Sequence, residues 1–405
     1  MKKKSKLFFF TDFNSLRATL NAHYNLIKKL EKNFDEVIFI DISNFIIFSN
    51  KKKKNISIIK KKFNKIKFLN FENTKKFNIF FQTQQNKIAI NNFGKKFKDL
   101  YIHYLMKQNN IKQIKVLNID IVSVVRKIEK KFFFKKIIYF LDNKVSSYFI
   151  NILTLLKVLN KIEICFTSKY DIFKNFQNSS FLKKNFLFYK HVELINSSAF
   201  DEIKSKKHKI SNKHILFIDY NINHEDNIRY GKKTENQIIH HHYKKVNLFL
   251  NNISNLYNKK VIVSIHPLYS INETKKFYKN LKVIQNKTLN LIKNAEIVIL
   301  FNSTVINFAY LLGKKILFLK TNKIGNYPET EFDTYPARSG CPQIDIYSKN
   351  KLTKIGLEKL FKKNILKRNA FIKKYFIPDG KQIGSDKLIN IIKKNFIRKN
   401  NENSK

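Results

Sequence analysis

Residues 296–320 read EIVILFNSTVINFAYLLGKKILFLK. The opening "EIVILF" (296–301) is a short apolar run rich in β-branched residues, which predicts a buried strand. It delivers Asn302, Ser303 and Thr304 straight into a helical pattern, "STVINFAYLLG", closed by Gly313 in the usual C-terminal position. "KILFLK" (315–320) is then a second strand. Strand, helix and strand in so little chain imply parallel strands joined by a right-handed crossover.

The same alternation extends outward. "HILFID" (214–219), "KVIVSI" (260–265) and "LKVIQN" (281–286) predict strands. A long helix over 234–257 carries Ile239, Tyr243, Val246, Leu250 and Ile253 on one side, and Thr288 caps a short helix ending near Ala295. Together these make a doubly wound α/β unit. The N-terminal half opens similarly: "KLFFF" (6–10), a helix over 15–32 capped by Ser15, and "EVIFID" (36–41). "IIYFLD" (137–142) and "IEICFT" (162–167) continue the strand signal, whereas lysine and asparagine blur the periodicity from about 50 to 115. "DEIKSKKHKISNK" (201–213) has no apolar face and reads as the interdomain linker. The expected organisation is therefore two Rossmann-like α/β domains facing across a cleft. Residues 1–205 would form the first domain and 214–350 the second. Residues 351–405, broken by Pro378 and Gly380, would be helices returning to the first.

Lysine and arginine number 80 against 29 acidic residues, a net charge of +51. Lys, Asn, Ile and Phe are all abundant and Trp is absent, the mark of an AT-rich coding sequence. The lysines are dispersed rather than gathered in an arm, so no specific nucleic-acid partner is expected, although an anionic membrane surface suits the charge. Cys165 and Cys341 have neither disulfide-framework nor zinc spacing. The N-terminal apolar stretch breaks at Thr11 and Asp12, too early for a signal peptide, and no apolar run is long enough to span a bilayer. A cytoplasmic location is expected, with peripheral attachment to the inner face of the cytoplasmic membrane open to it.

In open parallel sheets, ligands bind beyond the carboxyl ends of the strands. Asp219, His266 and the triplet Asn302, Ser303 and Thr304 all fall there. Pro267 biases His266 toward extended backbone, carrying the imidazole past the buried part of its strand. Taken alone, such a histidine is as well explained by a turn. The helix start at Asn302–Thr304 adds backbone N–H groups and two hydroxyls, a ready anion site. Ending neighbouring strands, the two features would face one crevice. The "HHH" at 240–242 cannot share one ion, because successive helical residues point about 100° apart, and a solvated helix face is expected instead. Glu329, Glu331 and Arg338 lie in the Pro/Gly-rich stretch 326–342, an expected loop.

"IHP" followed by "TLNLIKNAEIVILFNSTVINFAYLLGKKILFL" resembles the C-terminal half of GT-B glycosyltransferases of bacterial surface-polysaccharide synthesis. It is similar to the capsule and lipopolysaccharide enzymes, sialyltransferase-like and Kdo-transferase-like families among them. The resemblance covers roughly 214–320. It implies that His266 and Pro267, with Ser303 and Thr304, hold the phosphate of a nucleotide-sugar donor, a CMP-sugar being favoured, and that Asp219 lies in the same nucleotide domain. It also implies a cell-surface glycan acceptor for the first domain. The acidic triplet that serves those sialyltransferases as general base has no counterpart here. Asp12, in the first strand-to-helix loop, is the candidate catalytic base beside His266, with Asp142 second. No D-x-D occurs, so a donor held without a metal is expected and no permanently bound cofactor is implied. The alternatives are a sugar-nucleotide epimerase of the same architecture and a non-catalytic polyanion-binding protein.

Overall fold

The computed structural model describes residues 5–11, 23–45, 66–91, 93–94, 96–117, 145–180, 188–205, 209–220, 235–266, 269–278, 280–321, 335–348 and 352–398. Thirteen strands among them form two all-parallel sheets.

The first sheet comprises β1 (Lys6–Thr11), β2 (Glu36–Asp41), β3 (Ile66–Asn70), β4 (Ile88–Asn91), β5 (Lys112–Leu117), β6 (Ile162–Thr167) and β7 (Tyr189–Leu194). Its order is β3-β2-β1-β4-β5-β6-β7. Alternation along β1 fills both faces. Leu7 and Phe9 join a core with Leu26, Ile27 and Leu30 of the helix Tyr24–Asn33. Phe8 and Phe10 pack on the opposite face against Phe77 and Phe81 of the helix Thr74–Gln82. A strand buried on both faces reads as continuous apolar sequence, which is why "KLFFF" carries no polar alternation.

The second sheet comprises β8 (His214–Ile218), β9 (Val261–Ile265), β10 (Lys282–Gln285), β11 (Ala295–Leu300), β12 (Lys315–Lys320) and β13 (Gln343–Asp345), ordered β10-β9-β8-β11-β12-β13. The helix Asn236–Tyr257 lays Val246, Leu250 and Ile253 over Ile215, Val263 and Ile297. Gly313 ends the helix Ile306–Leu311 with a left-handed φ of 63°, which glycine adopts without steric cost. In both sheets the chain starts in the middle, winds one way, then crosses back and winds the other. The reversal leaves a crevice at the carboxyl ends, between β1 and β4 in one sheet and β8 and β11 in the other.

The described residues divide into two compact units, one holding those up to Asp201 and from Ile377 onward, the other Glu202–Phe376. The helix Lys354–Lys362 contributes Leu357 and Phe361 to the second core. The helix Gly384–Ile392 contributes Leu388, Ile389 and Ile392 to the first. Three sequence expectations change. β9 and β11 are not neighbours, because β8 lies between them. The start of the expected linker is helical: Ser198–Lys204 includes Asp201, which is buried. His242, expected on a solvated helix face, is buried as well. The strand expected at 137–142 lies outside the described residues.

Candidate functional site

The crevice of the second sheet collects the polar strand ends. In register, Ile218 of β8 is level with Ser264 of β9 and Leu300 of β11. Asp219 therefore follows that common level by one residue, His266 and Asn302 by two, and Ser303 and Thr304 by three and four. The outer pair of these strands is about 10 Å apart, twice the inter-strand spacing, and Asp219 occupies the middle.

Asp219 is buried, and its amide donates to the Ser264 carbonyl at 2.9 Å. Tyr278 Oη donates to Asp219 Oδ1 at 2.6 Å. The second oxygen, Oδ2, has no hydrogen-bond partner among the described residues. Burial lifts the Asp219 carboxyl to about 6, against the hydrogen bond from Tyr278 and the influence of the nearby Tyr220 amide and Tyr243 hydroxyl, which favour its ionised form. Burial, and then the Asp219 charge, push the Tyr243 and Tyr278 hydroxyls well up, so both remain donors. Asp219 opens on a cavity of about 300 Å³ lined also by Asn236, His240, Tyr243, Tyr269 and Glu273.

His266 is exposed one residue beyond β9. Its carbonyl accepts from the Tyr269 amide at 3.1 Å. Gln285, the last residue of β10, donates through Nε2 to the carbonyls of His266 at 3.1 Å and Tyr269 at 2.8 Å. The His266 and Tyr269 rings lie 5.2 Å apart, so the tyrosine links the histidine to the cavity it lines. Pro267 lies outside the described residues, as do Asp12, Asp142, Glu329 and Glu331.

The helix after β11 begins at Ile306, later than its sequence pattern indicates, and is six residues long. Asn302, Ser303 and Thr304 form the turn before it, in which Ile306 N–H reaches Ser303 O at 3.3 Å and Asn307 N–H reaches Thr304 O at 3.4 Å. Ser303 is half-buried and Thr304 exposed. The dipole of so short a helix is weak, so an anion at this turn would have to be met by the turn's own N–H groups and hydroxyls.

The three adjacent histidines diverge. His240 lines the cavity, His241 stacks on Tyr347 with ring centroids 5.8 Å apart, and His242 packs on Phe301 at 5.3 Å. Burial, and secondarily the neighbouring His241, lower His242 to about 3, so it is neutral. Among the described residues no group of His, Cys, Asp and Glu could hold a metal ion.

Sequence reasoning missed Tyr243, Tyr278 and Gln285. The tyrosines fall in apolar patterns and read as core, and a strand-end glutamine has no signature.

No protein-family model matches the chain, and no curated protein sequence matches it. Solved structures do. The glycotransferase of kitacinnamycin aligns with a TM-score of 0.52 at 8% identity, over 97% of this chain and 100% of that one. The calicheamicin glycosyltransferase aligns with a TM-score of 0.50 at 7% identity, over 96% and 98%. A putative UDP-N-acetylglucosamine 2-epimerase from Listeria monocytogenes aligns at 0.48, with 12% identity over 97% and 96%. At such identities the similarity is one of fold. Two doubly wound, all-parallel sheets, matched over nearly their whole length to glycosyltransferase structures, give this chain the GT-B-like architecture of two Rossmann-like domains.

Proposed function

We propose that the protein is a GT-B-type glycosyltransferase that moves a sugar from a nucleotide-sugar donor to a glycan acceptor. The carrying observation is the edge of the second sheet, where Asp219, His266 and Asn302–Thr304 follow β8, β9 and β11, Asp219 also lining a cavity of about 300 Å³.

The donor phosphate is taken to sit over the turn at Asn302–Thr304, with His266 as a further donor and Pro267 restricting that histidine's backbone. The acceptor hydroxyl attacks the anomeric carbon and its proton passes to a carboxylate, for which Asp12 is the candidate. The carbon–oxygen bond to phosphate breaks, and the nucleotide leaves with the electron pair. Charge growing on the leaving phosphate is met by the His266 ring N–H, the Ser303 and Thr304 hydroxyls and backbone amides. The chain has no D-x-D for a diphosphate-bound metal, which fits neutralisation by such donors. Asp219 is taken to belong to the same donor site. The motif resemblance favours a CMP-sugar, and a capsular or lipopolysaccharide acceptor at the cytoplasmic membrane face.

The test is incubation with CMP-, UDP-, GDP- and dTDP-sugars and mixed glycan acceptors, following free nucleotide and glycan mass. One donor should be consumed only with acceptor present, and His266→Ala should lower that rate about 100-fold. Turnover without acceptor would point to the epimerase alternative. No turnover of any donor, with no selective nucleotide binding, would contradict the proposal.

A further inference from the structure

We propose that one face of the first unit, built from the helices Leu100–Gln108 and Ser146–Leu155, docks the protein on an anionic lipid surface. Both helices share one small core: Leu100 packs against Ile150, Leu159, Ile162 and Phe188. Phe97, in the turn leading into the first helix, has its ring 5.8 Å from that of Phe149 on the second. The surface they present is apolar. Tyr148 is 70% exposed, Leu156 65% and Ile152 48%, with Phe149, Leu155 and Val158 exposed beside them. Tyr101 and Tyr104 continue the patch on the other helix.

Two features identify the occupant. The helix Ser146–Leu155, SSYFINILTL, has no charged residue in a chain where lysine is everywhere. The charges bordering the patch within 96–108 and 145–161 are Lys96, Lys98, Lys107, Lys157 and Lys161. The one acid in those segments, Asp99, is buried and accepts the Gly94 amide at 2.9 Å. An apolar face flanked in these two segments by five lysines and no exposed acid, the nearby Glu163 being paired with Lys190 at 2.7 Å, complements a bilayer interface bearing anionic headgroups. Tyrosine suits that depth, its ring in the acyl boundary and its hydroxyl among headgroups. A second copy of the chain fits poorly, because it would set one lysine border against another. The surface deepens the reading that puts the acceptor at the cytoplasmic membrane face, and its test involves no sugar, so it can fail without the glycosyl-transfer reading failing.

Trp is absent from the chain, so Tyr148→Trp installs the sole tryptophan. Its emission should shift to the blue on mixing with phosphatidylcholine vesicles containing phosphatidylglycerol, and not with phosphatidylcholine alone. In co-sedimentation with the same vesicles, Ile152→Ser/Leu156→Ser should bind about tenfold more weakly with its charge unchanged. Four results would each overturn the proposal. They are an unshifted emission, or a double variant that binds like the parent, which would assign adsorption to the dispersed lysines. The others are a parent that self-associates where the double variant does not, or a double variant that melts much lower, which would mean that the face is already covered within the chain.

Discussion

Asp201 in the first unit and Asp219 in the second are both buried carboxyls, and burial raises the pKa of each. They differ in what their oxygens touch. Asp201 Oδ1 accepts the Gly384 amide and Oδ2 the Ser385 amide, both at 2.8 Å. It thereby caps the helix Gly384–Ile392, whose approach is fixed by Asn196, donating to the carbonyls of Gly380 at 2.8 Å and Gln382 at 2.6 Å. Asp219, which lines a cavity, accepts from Tyr278 on Oδ1, and its Oδ2 has no hydrogen-bond partner among the described residues. Leaving a buried polar atom unmatched costs stability, and sites that bind ligands are where such a cost is retained. One carboxyl is therefore structural, and the other is proposed to await a ligand.

Removing each carboxylate tests that contrast. Asp201→Ala should destabilise the protein by about 3 kcal/mol, the scale of two charge-assisted hydrogen bonds with their donors left unmatched. Urea denaturation measures the loss, and hydrogen exchange should show Gly384–Ile392 opening first. An unchanged midpoint would deny Asp201 its structural role.

Asp219→Asn should do the reverse near pH 7 and stabilise by about 1–3 kcal/mol. The folded carboxyl titrates at about 6, above its unfolded value of about 3.9. Its favourable contribution is thus complete below about pH 4 and lost as pH rises through 6. The variant's advantage should vanish on acidification across that window, in melts recorded from pH 4 to 7. A variant less stable than the parent at pH 7 would break the comparison.

Gly384→Ala sharpens the first side. A Cβ there would lie 2.8 Å from the Asn196 carbonyl oxygen, so a loss of about 1–2 kcal/mol is expected from overpacking, read as a lowered melting temperature. The smallest effect belongs to the second side. Ser303→Ala and Thr304→Ala should change stability by less than about 0.5 kcal/mol, being surface-turn positions, while weakening nucleotide binding several-fold in calorimetry.

Much of this architecture is legible in the chain because its strands are short, buried and bounded. "KILFLK" is β12 to the residue, and "EVIFID" is β2. The blur from 50 to 115 has a physical source. β4 is only "IAIN", and β3, "IKFLN", is half-exposed at the sheet edge, so neither has a long apolar run. β13, "QID", is a three-residue edge strand with no sequence signal. The site is partly legible. Strand ends locate Asp219, His266 and Asn302–Thr304, but only topology shows β8 standing between the other two. That Asp201 is a cap depends on a partner nearly 200 residues away, which local pattern does not encode.

The central claim is that the carboxyl edge of the second sheet binds a nucleotide phosphate selectively. The most direct measurement is thermal stabilisation by CMP, UMP, UDP and GDP at moderate and high salt, in the parent and in His266→Ala. The account predicts stabilisation by one nucleotide over the others, persisting at high salt and lost in the variant. Equal shifts with every nucleotide, abolished by salt and unchanged in His266→Ala, would contradict it and leave the net charge of +51 as the whole explanation.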